Sequence, residues 1–132
     1  MIGLDTNILV RFLVQDDPKQ ADMANSLISR CSTRQPGFIG REALVEMVWV
    51  LERAYGQSAA AIAATLFGFL ESEELVLENA EDVAVAAEAY GSGVADFADH
   101  MILAATQRSG CTTLYTFDRK AARANGATLL VK

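Results

Sequence analysis

The sequence predicts an α/β fold with a mostly parallel β-sheet covered by helices, and three observations carry that expectation. Short apolar, strand-like segments alternate with helical runs along the whole chain, the order produced by parallel strands joined through crossover helices. The 132 residues are 52% hydrophobic and 21% charged, with a mean hydropathy of +0.20, so the chain is too apolar for disorder and long enough to bury its own core. No segment repeats and none is compositionally biased, which excludes a solenoid or a fibrous chain.

The elements follow in order. An apolar strand at residues 2–4 leads through Asp5, Thr6 and Asn7, as turn and cap, into a helix over residues 8–14. Pro18 suits a first helical position, and Ala21, Ala24, Leu27, Ile28 and Cys31 recur at helical spacing, which predicts a second helix ending near Cys31. Gln35, Pro36 and Gly37 break it. Phe38 and Ile39 form a short strand, and a long helix runs from Arg41 to about Tyr55, stopped by Gly56. Ser58 caps the next helix, which reaches Leu70 and spreads Ile62, Leu66, Phe67, Phe69 and Leu70 over more than one face, a pattern of burial on two sides. Residues 75–77 form a strand, 80–90 an alanine-rich helix and 91–93 a loop. A helix over residues 96–108 stops before Gly110, residues 112–116 form a β-prone strand, 118–125 a short helix ended by Gly126, and 128–131 the last strand.

A formal net charge of −6 and a pI near 4.7 exclude a protein that grips nucleic acid through a general basic surface, because phosphate binding needs clustered Lys and Arg. A metal-mediated approach to phosphate stays open. Cys31 and Cys111 are too few for a disulfide framework and have no Cys or His at zinc spacing, so two buried thiols in a reducing compartment are expected. The chain opens on a strand-like segment without the basic and apolar regions of a secretion signal, and its longest apolar stretch, residues 59–70, is about half the length a bilayer crossing needs. A cytoplasmic protein with no membrane association is expected.

In a parallel α/β sheet the ligand site lies beyond the carboxyl ends of the strands, which singles out the acids found there. Asp5 follows the first strand, and Asp118 follows residues 112–116 with only Phe117 between. Each alone is better explained as a helix cap, a position that Asp favours. Glu42 and Glu46 share one helix face, and Asp96 and Asp99 another. Glu42 can serve the helix macrodipole and Asp96 can cap its helix. Glu46, among Leu44, Val45, Met47, Val48 and Trp49, and Asp99, beside Phe97, Ala98 and Met101, instead read as carboxylates at partly apolar positions, which carry a desolvation cost unless they bind cations. Acids gathered without Lys or Arg suit a hard divalent cation such as Mg²⁺, which takes oxygen ligands and can activate water for phosphodiester hydrolysis.

Four motifs in this order, Leu4-Asp5-Thr6-Asn7, Leu44-Val45-Glu46-Met47, Asp99 ahead of Met101-Ile102-Leu103-Ala104-Ala105, and Thr116-Phe117-Asp118, resemble those of PIN-domain ribonucleases. The resemblance spans residues 2–131. Trp49-Val50-Leu51 and Asp96-Phe97-Ala98-Asp99-His100 are further similar to the toxin halves of VapBC toxin–antitoxin pairs. The resemblance implies one PIN domain over residues 1–132, a three-layer α/β/α sandwich around a central, mostly parallel sheet. It places the four catalytic and metal-binding acids on Asp5, Glu46, Asp99 and Asp118, holding Mg²⁺ or Mn²⁺ while water attacks RNA. Thr6 and Asn7 would orient Asp5 and its loop, and Thr116 would hydrogen-bond near the metal; turn and cap roles are the alternatives. Asp96 departs from the four-acid pattern and is either a further metal or outer-shell ligand or only a cap. The family likeness also implies a homodimer and a cognate antitoxin protein, for which the apolar residues of the first two helices and of residues 59–70 offer surface.

His100, the single histidine, points about 100° from Asp99 around a helix, which disfavours it as general base. Arg11, Arg41, Arg119, Lys120 and Arg123 are candidates for RNA phosphate contacts, with solvated helix faces as the alternative. Two other functions compete: a catalytically silent PIN-like module that binds RNA or protein, and a phosphotransferase with Asp5 as nucleophile. The second lacks the supporting acid and Lys that such chemistry needs after the nucleophile.

Overall fold

The computed structural model describes residues 1–132, and the chain divides into two compact units: residues 1–57 with 68–80, and residues 58–67 with 81–132. The α/β class and the parallel pairing of every strand are as the sequence predicts. No helix is long and apolar enough to cross a membrane.

In the first unit, β1 (Ile2–Gly3), β2 (Gly37–Ile39) and β3 (Leu75–Leu77) form a parallel sheet in that order, Ile2 opposite Gly37 and Gly37 opposite Leu75. A Cβ at Gly37 would lie 2.8 Å from Leu4 Cδ1 and 3.1 Å from Cys31 Sγ, so a larger residue there would have to displace the Leu4 side chain. Helices α1 (Thr6–Leu13), α2 (Pro18–Ser29) and α3 (Arg41–Arg53) belong to the same unit, and α1 packs on both of the others. Leu9, Val10, Ala21, Ala24, Leu44, Met47, Val48 and Leu51 form their buried faces. Helix α1 starts at Thr6 rather than Ile8, because Asp5 is extended at the N-cap and its Oδ1 accepts from Thr6 N at 2.8 Å. Asp17 caps α2 by accepting from Gln20 N, with Pro18 in the first turn. Tyr55 donates to Asp16 Oδ2 at 2.9 Å, and Arg11 donates to Tyr55, Asp16 and Gln20. Arg11 thereby ties α1 to the residues before and within α2 and to Tyr55 past the end of α3.

In the second unit, β4 (Leu114–Thr116) and β5 (Ala127–Leu129) pair in parallel, Leu114 opposite Ala127. The helix α4 (Ala59–Glu71) contributes its first turns here, with Ser58 Oγ accepting from Ala61 N as its cap. Its apolar residues Ile62, Leu66 and Phe69 are buried within the chain, so α4 offers less free surface than expected. Helices α5 (Ala80–Gly91) and α6 (Phe97–Arg108) are joined by Arg108, whose Nη2 and Nε both donate to Oδ2 of the buried Asp82, at 2.9 and 3.1 Å, and by an edge contact of Tyr90 on Phe97. The helix expected over residues 118–125 is a single 3-10 turn, Ala121–Arg123. Ala124 is extended and Gly126 adopts φ +107°, which returns the chain to β5 at once and leaves no length for a further turn. The last strand accordingly begins at Ala127, one residue early. Cys31 is buried as expected, whereas Cys111, in the turn after α6, is exposed.

Candidate active site

Parallel pairing brings the carboxyl ends of β1, β2 and β3 to one edge of their sheet. Asp5 lies two residues past β1, α3 begins two residues past β2, and Glu78 immediately follows β3. Gly40, the N-cap of α3, has no side chain to offer, and Glu78 Oε1 takes that role by accepting from Arg41 N at 2.9 Å. Arg41 in turn donates to Asn79 Oδ1, which holds Asn79 in its left-handed conformation at φ 51°. Glu78 is a member of this edge that sequence reading missed, although it follows its strand as Asp5 follows β1. Thr6 is buried and fixes Asp5 through its backbone N–H, and Asn7 lines the cleft between α1 and α2.

Glu42 and Glu46 both lie on the exposed face of α3. The expectation that Glu46 sits among apolar groups is corrected: its sequence neighbours Met47 and Val48 turn inward with Leu44 and Leu51, while Glu42, Glu46, Trp49 and Arg53 turn outward. Arg53 stacks over the Trp49 ring at 5.4 Å on this face.

The second unit gathers three acids. Asp96 is the N-cap of α6, and Asp99 Oδ2 accepts from Asp96 N at 3.4 Å. Asp118 lies two residues past β4; its Oδ1 accepts from Lys120 N at 2.8 Å and Ala121 N at 3.2 Å, while Thr116 Oγ1 accepts from Asp118 N at 3.0 Å. Thr116 thus holds Asp118, and Lys120 Nζ pairs with Asp96 Oδ1 at 3.2 Å. Partial burial pushes the Asp99 carboxyl above its ordinary range, the bond from Asp96 N–H pulls it back, and the charges of Asp96 and Asp118 push it further up.

The backbone before α6 is strained. Ala95 is buried at φ 104°, a region costing a non-glycine residue of order 1–3 kcal/mol. The carbonyl before it, Val94 O, is bonded to His100 Nε2 at 3.2 Å. His100 is buried and spent on holding this turn, which accounts for it without any chemical role.

A raised Asp99 value has a testable sign. With both states protonated, below the unfolded value, the fold carries no penalty; as pH rises through the folded value, the folded state must hold a charge that the unfolded chain holds more easily, and stability falls. Asp99→Asn keeps an acceptor for Asp96 N–H. In chelator at neutral pH it is expected to raise Tm, with roughly 4 °C for each kcal/mol at this chain length. The gain vanishes below the ordinary carboxylate range. Thermal unfolding of both proteins from acid to neutral pH reads the crossover, and a variant less stable than the parent at neutral pH would contradict it.

These donors are all carboxylate oxygens, the set that a hard dication takes. No three His, Cys, Asp or Glu side chains converge into a ready-made ligand cage. The donor chemistry fits a hard dication, while the arrangement holds no ready-made cage that would select one. A sequence model of the PIN domain family matches residues 2–127 of the chain. No match was found among curated proteins.

Proposed function

The chain belongs to the PIN domain family, whose members are generally nucleases using divalent metals, and on that premise we propose that it is an endoribonuclease dependent on Mg²⁺ or Mn²⁺, the toxin of a type II toxin–antitoxin pair acting in the cytoplasm. The observation that supports this reading is the closeness of Asp99 to Asp96 and Asp118, whose charges both act on it; the expectation of acids gathered without Lys or Arg is corrected at Asp96, which pairs with Lys120. The proposed ligands are Asp5, Glu46, Asp99 and Asp118. Thr116 positions Asp118, Thr6 positions Asp5, and Asp96 shapes the start of α6 while its charge is shared with Lys120. When bound, the metal supplies an activated water and stabilises the leaving oxygen of a phosphodiester. The protein's own part is to hold anionic oxygens on rigid helix and strand ends, so that a negatively charged backbone approaches an acidic site only once a cation has offset it.

For the antitoxin partner, support comes from the cleft of about 390 Å³ between α1 and α2, where Ile8, Met23 and Leu27 give an apolar floor and Arg30 a cationic rim suited to an amphipathic segment. Homodimer formation belongs to the same proposal. The rival reading, a catalytically silent module binding RNA or protein, draws on the lack of a preformed ligand cage. Incubating purified protein with RNA and Mg²⁺ or Mn²⁺, with and without excess chelator, separates the two. Cleavage that stops in chelator is expected; cleavage undiminished by chelator would reject the mechanism, and RNA binding without cleavage would favour the silent module.

A further inference from the structure

Phe117 is the most exposed large apolar side chain of the protein, at 79%, and Tyr115 two residues before it is 64% exposed. Tyr115 lies in β4 and Phe117 directly past its end, at the bend that leads into Asp118, so the two exposed rings stand at the same strand end as that carboxylate. Exposure here does not come from a loose segment. Thr116 O accepts from Leu130 N at 2.8 Å, Thr116 Oγ1 accepts from Asp118 N, and Asp118 Oδ1 accepts from two further backbone N–H groups. The backbone on either side of Phe117 is therefore fixed while its ring is presented to water, an arrangement with no benefit to folding.

The charge of the same stretch narrows what the rings meet. Residues 115–125 carry Arg119, Lys120 and Arg123 against the single acid Asp118, a local balance of +2 within a chain of −6. Arg119, Lys120 and Arg123 are all exposed, and because Lys120 pairs with Asp96, Arg119 and Arg123 are the cations of this stretch open to phosphate. Exposed aromatic rings followed closely by cations are the chemistry of unpaired nucleic acid, in which bases stack on rings while phosphates meet the cations. A duplex keeps its bases stacked on one another and has none to offer a phenyl ring. An apolar protein surface would pair with the rings but gains nothing from the cations.

We propose that Phe117, flanked by Tyr115, is a base-stacking residue that seats an unpaired RNA base beside the phosphate handled at Asp118. The assignment rests on the ribonuclease reading and adds a residue that selects the substrate. Base stacking on a ring is worth about 1–3 kcal/mol by alanine substitution, or a roughly 5- to 150-fold change. The test measures KM and kcat on a single-stranded RNA carrying 2-aminopurine and on the same sequence in a duplex, for the parent, Phe117→Ala, Phe117→Leu and Phe117→Trp. The expected result is a KM raised about tenfold in the Ala and Leu variants, a small change in kcat, an unchanged Mn²⁺ requirement, and a KM restored in the Trp variant.

Phe117→Leu with the parent's KM would reduce the ring to a generic apolar contact and overturn the proposal. So would equal cleavage of duplex and single strand by the parent. If Phe117→Ala changed the protein's mass by light scattering and left KM alone, the rings would belong to a protein interface, which also overturns it. Should the parent cleave nothing, the ribonuclease reading falls and the platform is judged separately. Quenching of 2-aminopurine fluorescence on binding, present in the parent and lost in Phe117→Ala, supports it; quenching that survives in Phe117→Ala overturns it.

Discussion

Asp118→Asn will reduce RNA cleavage by more than about 100-fold, beyond the 10- to 100-fold loss typical of groups that only support a metal ligand. The fold will survive. Asp118 Oδ1 accepts from Lys120 N and Ala121 N, and an amide oxygen in the same place accepts both. The bond from Asp118 N to Thr116 Oγ1 uses the backbone and is untouched. What the substitution removes is the negative charge, the property a divalent cation requires of its ligand. Loss of that charge also lifts one of the two repulsions acting on Asp99, so the variant is expected to melt at or above the parent's temperature in chelator. Asp5→Asn follows the same reasoning, because Asn is as good an N-cap as Asp and Thr6 N keeps its acceptor. Initial rates in Mn²⁺ together with thermal unfolding decide the matter. Parental turnover by either purified variant, free of contaminating nuclease, would remove that residue from the proposed ligands.

How much of this was legible in the sequence follows from the range of each interaction. Asp5 and Asp118 are found because both follow a short apolar strand, and the structure leaves both at strand ends. The caps at Ser58 and Asp96 are equally local, each set by a side chain near its helix start, whereas the cap Asp17 gives to α2 was not read although it is just as local. Glu46 was misjudged, for flanking residues in sequence are about 100° away around a helix and say little about the face a side chain occupies. The cap that Glu78 gives to α3 was invisible because it is 37 residues from Arg41 in the chain and exists only through pairing of β2 with β3. Residues 118–125 have the composition of a helix, yet the register that sets Leu114 opposite Ala127 claims the following residues for β5. In that competition long-range strand pairing overrides local propensity. Ala95 belongs to the same class, since nothing in Val94-Ala95-Asp96 announces a left-handed alanine.

The second large effect separates Glu46 from Glu42. Both are exposed on α3, one turn apart, so position on the helix face cannot divide their roles. Their settings along the helix can. Glu42 lies in the first turn, and its Oε2 comes within 3.9 Å of the point where a Cβ on Gly40 would stand, which folds the carboxylate back over the helix start. An acid there is stabilised by the unsatisfied backbone N–H groups and needs no metal to account for it. Glu46 lies beyond that turn and gains nothing from the macrodipole. It occupies a solvent-facing position compatible with a cation, and it carries the acid of the family-like Leu44-Val45-Glu46-Met47 motif. Glu46→Gln is therefore expected to lose most metal-dependent cleavage, by about tenfold or more, with the loss partly relieved at high Mn²⁺. Glu42→Gln is expected to keep a substantial part of the activity and to cost the helix about 0.3–1 kcal/mol. A Mn²⁺ titration of both variants alongside their unfolding curves measures each arm. An inactive Glu42→Gln beside a fully active Glu46→Gln would place the ligand one turn nearer the start of α3, and the motif assignment on this helix would be wrong.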